Sequence, residues 1–245
     1  MFPSPRAAFD RSEPMTRTNL LIFDCDGVLI DSEPIASRTL AEALSREYFA
    51  ITTKEAHAIF TGNSETAIAE IVERRTGLKL DRPFLDAWHD ETFAAFRDEL
   101  APMDGIETVL DRFDIPKCVA SNSSPDRLAN SLGLLPIWRH FAPNVFSADM
   151  VARPKPAPDL PLYCLDRMGA RAEHAILIDD STHGIEAARA AGVRAIGFVD
   201  PEDPRPGRAR ILADAGALRV AVGTRELERH LHDLICEKEP CLVRD

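Results

Sequence analysis

Apolar residues fall along this chain in two textures. Between residues 34 and 100 they recur every three or four positions. Leu40, Ala43 and Leu44 share one face of a predicted helix, Ile68, Ile71 and Val72 a second, and Phe93, Phe96 and Leu100 a third. Thr52 and Glu55 have the spacing of a capping box, and Ser64 is placed to cap the helix after the break at Gly62-Asn63. Pro83 lies near the start of the last helix and Pro102 beyond its end. Elsewhere the apolar residues come in short unbroken runs, near 20–24, 116–121, 143–147, 175–179, 193–199 and 218–222. Such runs read as buried strands. With helical stretches between them they predict a parallel sheet covered on both faces. The fold class is therefore α/β. The helical block is an insertion, because it separates the first strand from the rest. The expected division is an N-terminal extension over 1–19, a core over 20–32 and 103–234, a helical unit over 33–102, and a tail over 235–245.

Polar residues with chemical potential collect where the strands stop, the place where open α/β sheets gather their functional groups. The first run ends at Asp24-Cys25-Asp26-Gly27. A chain that turns just after Asp24 aims both carboxylates at one small volume, and two acids there can divide labour as nucleophile and proton donor. Asp and Gly are also ordinary turn residues. Ser121-Asn122 ends the second run and offers a hydroxyl and backbone N–H groups to an anion. Lys155 stands between Pro154 and Pro156, with no helix face to cover, and can neutralise building negative charge. Asp179-Asp180-Ser181 follows Ala175-Ile176-Leu177-Ile178. Its carboxylates suit a hard cation such as Mg²⁺, although the same triplet is an ordinary helix N-cap.

Composition narrows the partners. The 245 residues carry a net charge of −11, with 45% hydrophobic and 28% charged residues, an ordinary globular balance. So acidic a chain has no general attraction to nucleic acid or anionic membranes, so an anionic substrate needs a local positive centre. No apolar run reaches membrane-spanning length. Residues 1–19 hold three prolines and no apolar signal core, and are read as a disordered extension. Five scattered cysteines without a Cys-x-x-Cys pair indicate reduced thiols and a cytoplasmic chain. Cys25, between the two aspartates, is expected to contribute mainly its backbone N–H. His57, His89 and His140 show no metal-ligand spacing.

In this order, Asp-x-Asp-Gly, Ser-Asn, Lys-Pro-x-Pro-Asp and Asp-Asp-Ser-x-x-Gly resemble the four motifs of the haloacid dehalogenase-like hydrolase superfamily. Within it the chain resembles the sugar-phosphate phosphatases and β-phosphoglucomutases, from about Leu20 to about His232. The resemblance implies a Rossmann-like core with a helical cap inserted after the first motif. It implies Asp24 as the nucleophile, forming an aspartyl-phosphate, and Asp26 as the acid and then the base. Asp26 must be protonated when substrate binds; nearby anions push that way and the metal against it. It implies Mg²⁺ held by Asp24, the Asp26 carbonyl and Asp180, with Asp179 binding directly or through water. Cys25, Ser121, Asn122 and Lys155 would hold the phosphate.

Haloacid dehalogenases proper need no metal, so Asp26 together with Asp180 favours phosphoryl transfer. Val28 after Gly27 matches the mutases, whereas two other features depart from them. No histidine occurs between Asp31 and His57, and Glu65 stands where mutases place an arginine that grips a second phosphate. Hydrolysis of small monophosphates by a monomeric enzyme is therefore expected, with a β-phosphoglucomutase-like activity or a non-catalytic binding role as alternatives. Glu33, Gly62, Asn63 and Glu65 are the expected substrate contacts from the cap.

Overall fold

We analysed a computed structural model of the protein, which describes residues 18–61 and 65–236. Gly62, Asn63 and Ser64, together with residues 1–17 and 237–245, lie outside that range. Six strands form one parallel sheet: β1 Leu20–Phe23, β2 Lys117–Ser121, β3 Val145–Ser147, β4 Ala175–Asp179, β5 Arg194–Val199 and β6 Arg219–Val222. The strand order is β3-β2-β1-β4-β5-β6. β1 therefore runs through the middle, with Phe23 beside both Val119 and Ile178. All four of its residues are fully buried, so an unbroken apolar run was the right signature for it.

Helices cover both faces. α5 Ile106–Arg112 and α10 Thr224–Cys236 lie on one side with α6 Pro125–Ala129, packed on a core that includes Phe23, Ile106, Phe141, Ile178, Phe198 and Leu227. α7 Asp159–Met168, α8 Thr182–Ala190 and α9 Arg208–Ala215 lie on the other, over Leu20, Ile22, Leu177, Ile185 and Leu212. Alternate residues of β1 thus serve opposite cores. Thr18, assigned by its sequence context to the extension, is buried and accepts a hydrogen bond from Arg194, and Asn19 N donates to His174 O.

Between β1 and α5 come α1 Glu33–Glu47, α2 Thr53–Phe60, α3 Glu65–Thr76 and α4 Arg82–Glu99. They bury a core of their own around Leu40, Leu44, Phe60, Val72, Phe84 and Trp88. The Thr52–Glu55 capping box forms as the sequence predicts. The two connections to the sheet run side by side: Asp31 N donates to Ala101 O, and Met103 N to Leu29 O. The block is thus joined to the sheet by one short antiparallel pairing, at Ile30 and Pro102.

Candidate active site

Three neighbouring strands deliver their last residues to one spot. β1 ends just before Asp24, β2 ends in Ser121 and β4 ends in Asp179. Lys155 joins them: its Nζ donates to Asp24 Oδ1 at 2.6 Å, to Asp179 Oδ2 at 2.7 Å and to Ala120 O at 2.9 Å. The lysine is buried. Burial works against its charge, but Asp179 and Asp24 outweigh this and raise its pKa. Asp24 is pushed up to about 7 by burial, with Asp179 adding to the shift and Lys155 opposing it. Asn122 fixes the lysine from outside, donating to Lys155 O and accepting from Lys155 N, both at 3.0 Å. Its side-chain amide is therefore engaged in holding the loop, which leaves the backbone N–H as the group expected to meet an anion. Ser121 is buried, and its Oγ accepts from Ser123 N.

Asp179 is fixed on its other oxygen by Ser181, whose N–H and hydroxyl both donate to Oδ1. Ser181 also caps α8 by accepting from Gly184 N at 3.1 Å. The helix-cap reading of Asp179-Asp180-Ser181 therefore holds through Ser181 and leaves the Asp180 carboxylate out of the cap. A Cβ at Gly184 would lie 1.8 Å from Asp179 Oδ2, so the first turn of α8 has room for glycine alone. Gly27, at φ +74°, turns the chain after Asp26 and passes Asp180, where a Cβ would sit 3.0 Å from Oδ2.

Asp24, Asp179 and Asp180 bring ligand oxygens within 4.8 Å of one another. Burial, with Asp179 and Asp24 nearby, drives the Asp180 carboxyl far above the usual carboxylate range. The nearest side-chain cations to it are Arg205 and Arg208, both at 4.0 Å. A cluster of hard carboxylate oxygens with too little positive charge fits a divalent cation such as Mg²⁺.

Asp26 is held by three side-chain donors. Its Oδ1 accepts from Ser32 Oγ at 2.6 Å and Arg127 Nη2 at 2.9 Å, and its Oδ2 from Ser123 Oγ at 2.8 Å. Burial favours the protonated form, but Arg127 and the two hydroxyls outweigh it and lower the pKa. Neighbouring anions therefore do not keep Asp26 protonated here; the folded chain supplies a cation from 101 residues away. Ser32, at the N-cap position of α1, makes no cap bond because its hydroxyl serves Asp26.

Arg127, Arg205 and Arg208 are the residues that sequence reasoning missed, yet a signal existed. The signal is at Arg208, which opens α9, whereas Arg127 is the middle residue of the five-residue α6, which Ser124 caps. Cations are unfavourable at helix N-termini. Each answers to a carboxylate or carbonyl outside its helix, Arg127 to Asp26 and Arg208 to Asp180 O. Cys25 is fully buried; burial, with Asp26 and Asp24 nearby, raises its thiol pKa, and its carbonyl accepts from Leu29 and Ile30 N–H. Of the expected contacts from the helical block, Glu33 faces the site. Burial, with Asp26 close, pushes it up to about 7, and Thr61 bonds its side chain. Glu65 instead pairs with His89 at 3.0 Å, between α3 and α4.

A parallel sheet that gathers three carboxylates and a buried lysine beyond its central strands is the site of an α/β enzyme working on an anion. The family model described as haloacid dehalogenase-like hydrolase matches residues 21–198. The chain is 30% identical over 191 residues to the 6-phosphogluconate phosphatase of Escherichia coli strain K12, covering 77% of this chain and 86% of that one. It is 31% identical over 186 residues to a phosphorylated carbohydrates phosphatase of Thermotoga maritima, covering 72% and 82%. The crystal structure of a conserved haloacid dehalogenase-like protein of unknown function from Agrobacterium tumefaciens superposes with a TM-score of 0.79 at 34% identity, covering 88% and 98%. The chain belongs to the haloacid dehalogenase-like hydrolases, in their sugar-phosphate phosphatase subgroup, and is a phosphoric monoester hydrolase.

Proposed function

We propose that the protein is a Mg²⁺-dependent phosphatase of small phosphorylated metabolites, sugar or sugar-acid monophosphates, and that it acts through an aspartyl-phosphate on Asp24. The observation that carries this reading is the pairing of Asp24 with Lys155 beside the Asp179–Asp180 carboxylates. Phosphoryl transfer needs an in-line nucleophile, positive charge around the transferred group and a proton for the leaving oxygen.

In this reading Asp24 attacks phosphorus, and Lys155 holds its carboxylate in place while countering charge on the phosphoryl oxygens. Ser121 and the backbone after it offer further donors. Asp26, released from Arg127 and carrying a proton, gives that proton to the departing alkoxide, then takes one from the water that hydrolyses Asp24 phosphate. Asp24, Asp180, the Asp26 carbonyl and Asp179 would hold Mg²⁺. Since Lys155 and Ser181 occupy both oxygens of Asp179, that residue acts by orienting and through water. When bound, the cation supplies charge neutralisation that lets the phosphate approach the carboxylates.

We read the helical block as a cap that opens for substrate and closes for chemistry about the pairing at Ile30 and Pro102. A mutase needs a grip for a second phosphate. Glu65 carries the wrong charge and is paired with His89, which supports hydrolysis. Phosphorus NMR of the products tests this. With Mg²⁺ and a sugar monophosphate, inorganic phosphate should appear in step with loss of ester. Conversion of β-glucose 1-phosphate to glucose 6-phosphate without free phosphate would make the enzyme a mutase.

A further inference from the structure

Arg127 is the countercharge of Asp26, and a single one of its nitrogens serves that pair. The Asp26 carboxylate already receives Ser32 on one oxygen and Ser123 on the other, at 2.6 and 2.8 Å. A carboxylate has about four acceptor sites, so these two hydroxyls leave room for a charged donor. Arg127 adds a third donor through Nη2 alone, and among the described residues no other acceptor meets its guanidinium. The group is held in place nonetheless. Its side chain is 25% exposed, and its Cζ lies 5.3 Å from the centre of the Phe96 ring, which comes from α4 of the helical block. An aromatic face at that distance fixes the plane of a guanidinium.

The position of this fork matters because of what Asp26 does. On the reading above, Asp26 meets the oxygen of the leaving group. Arg127 then lies one side chain further along that leaving group, between the sheet and the helical block. A planar cation with free donors is matched by a carboxylate, whose two oxygens accept from it in parallel. A neutral polyol offers no such match. A second phosphate would bring two negative charges beside Asp26 and Glu33 with a single fork to meet them.

We propose that Arg127 is the specificity residue of the site, and that it selects phosphate monoesters whose leaving group carries a carboxylate, the hydroxy-acid and sugar-acid phosphates. Glu33 fits the same ligand. Its carboxyl faces Arg127 and Asp26, and burial favours its protonated form, which can donate to a substrate carboxylate.

This inference rests on the phosphatase reading, and the test separates the two. Matched pairs differ only by carboxylate against hydroxymethyl: 3-phosphoglycerate with glycerol 3-phosphate, and 6-phosphogluconate with glucitol 6-phosphate. The wild-type enzyme should favour the carboxylate member of at least one pair in kcat/KM by about 10-fold or more, the scale of a charge-assisted hydrogen bond. Arg127→Gln disturbs Asp26 and will slow both members, so the readout is their ratio. That ratio should fall to near unity, through a rise in KM confined to the carboxylate member. Arg127→Lys, which keeps the charge and loses the fork, should retain an intermediate preference. Absence of a wild-type preference, or equal losses on both members in both variants, would overturn the specificity role while leaving the phosphatase intact. Failure of the wild-type enzyme to release phosphate from either pair and from p-nitrophenyl phosphate would overturn both readings.

Discussion

Asp24 and Asp26 lie two positions apart, and the fold gives them opposite environments. Asp24 shares Lys155 with a second carboxylate and is pushed up, whereas Asp26 has Arg127 and two hydroxyls and is held down. These shifts run opposite to the proposed roles of ionised nucleophile and protonated acid, so those roles require a cation beside Asp24 and the release of Asp26 from Arg127. Asp26→Asn should lower turnover of a sugar phosphate by about 10²–10⁴-fold, the usual range for a lost general acid. Turnover of p-nitrophenyl phosphate, whose leaving group needs no proton, should fall far less. Equal losses in steady-state assays of the two substrates would remove Asp26 from the role of acid. Glu33 makes a prediction about stability. Its pKa rises from an ordinary 4.5 in the unfolded chain to about 7 in the folded one. The folded state therefore holds the proton more tightly, and stability from this group is lost as pH rises from 4.5 towards 7. Glu33→Gln, which mimics the protonated form, should gain stability relative to wild type at pH 8 compared with pH 5. Urea unfolding with Mg²⁺ present at both pH values measures the difference; a constant difference would show that Glu33 ionises normally.

At the scale of elements, the strands were legible because parallel strands buried on both faces are unbroken apolar runs. Ala175–Asp179 was read to the residue. The helical block was legible from its periodicity, but its two largest core anchors, Phe84 and Trp88, were not singled out. They lie about three and two turns before Phe96 along the buried stripe of α4, and reading that face from Phe93 shifted it by a few tens of degrees. The loops were harder. That Asn122 would clasp the backbone of Lys155, 33 residues away, has no local signature. Nor does the sequence around Arg127 or Arg205 say which carboxylate each will meet. The signal left in the sequence is the cation at the start of α9. Two substitutions contrast a helix start that serves the site with one that does not. Thr52→Ala removes a capping box in α2 and should cost about 1 kcal/mol in thermal or urea unfolding. Its phosphatase activity should be normal. Gly184→Ala pushes a methyl group into the Asp179 carboxylate and should cost about 1–3 kcal/mol, as overpacking does. It should also cut kcat, because Asp179 holds Lys155. Unaltered turnover in Gly184→Ala would mean that the Lys155–Asp179 pair has no part in catalysis.

The whole molecule sets an acidic chain of net charge −11 to work on anionic esters. Its field cannot draw the substrate, so the positive charge must be local: Lys155, Arg127 and, on the proposed reading, a cation held by the carboxylates. Mg²⁺ should therefore raise the melting temperature of the wild-type protein, since a ligand that binds only the folded state stabilises it. Chelator should reverse the shift. Asp180→Asn should abolish it, and a full Mg²⁺ shift in that variant would place the ion elsewhere. The sheet order, with β1 between β2 and β4, explains why residues from three distant segments meet at Asp24. The central claim is that Asp24 carries the phosphoryl group, and rapid acid quench with ³²P-labelled substrate tests it most directly. The account predicts a protein-bound phosphate, labile to hydroxylamine, that maps to Asp24 and is absent from Asp24→Asn of intact fold. A label on another residue, or turnover retained by Asp24→Asn, would contradict it.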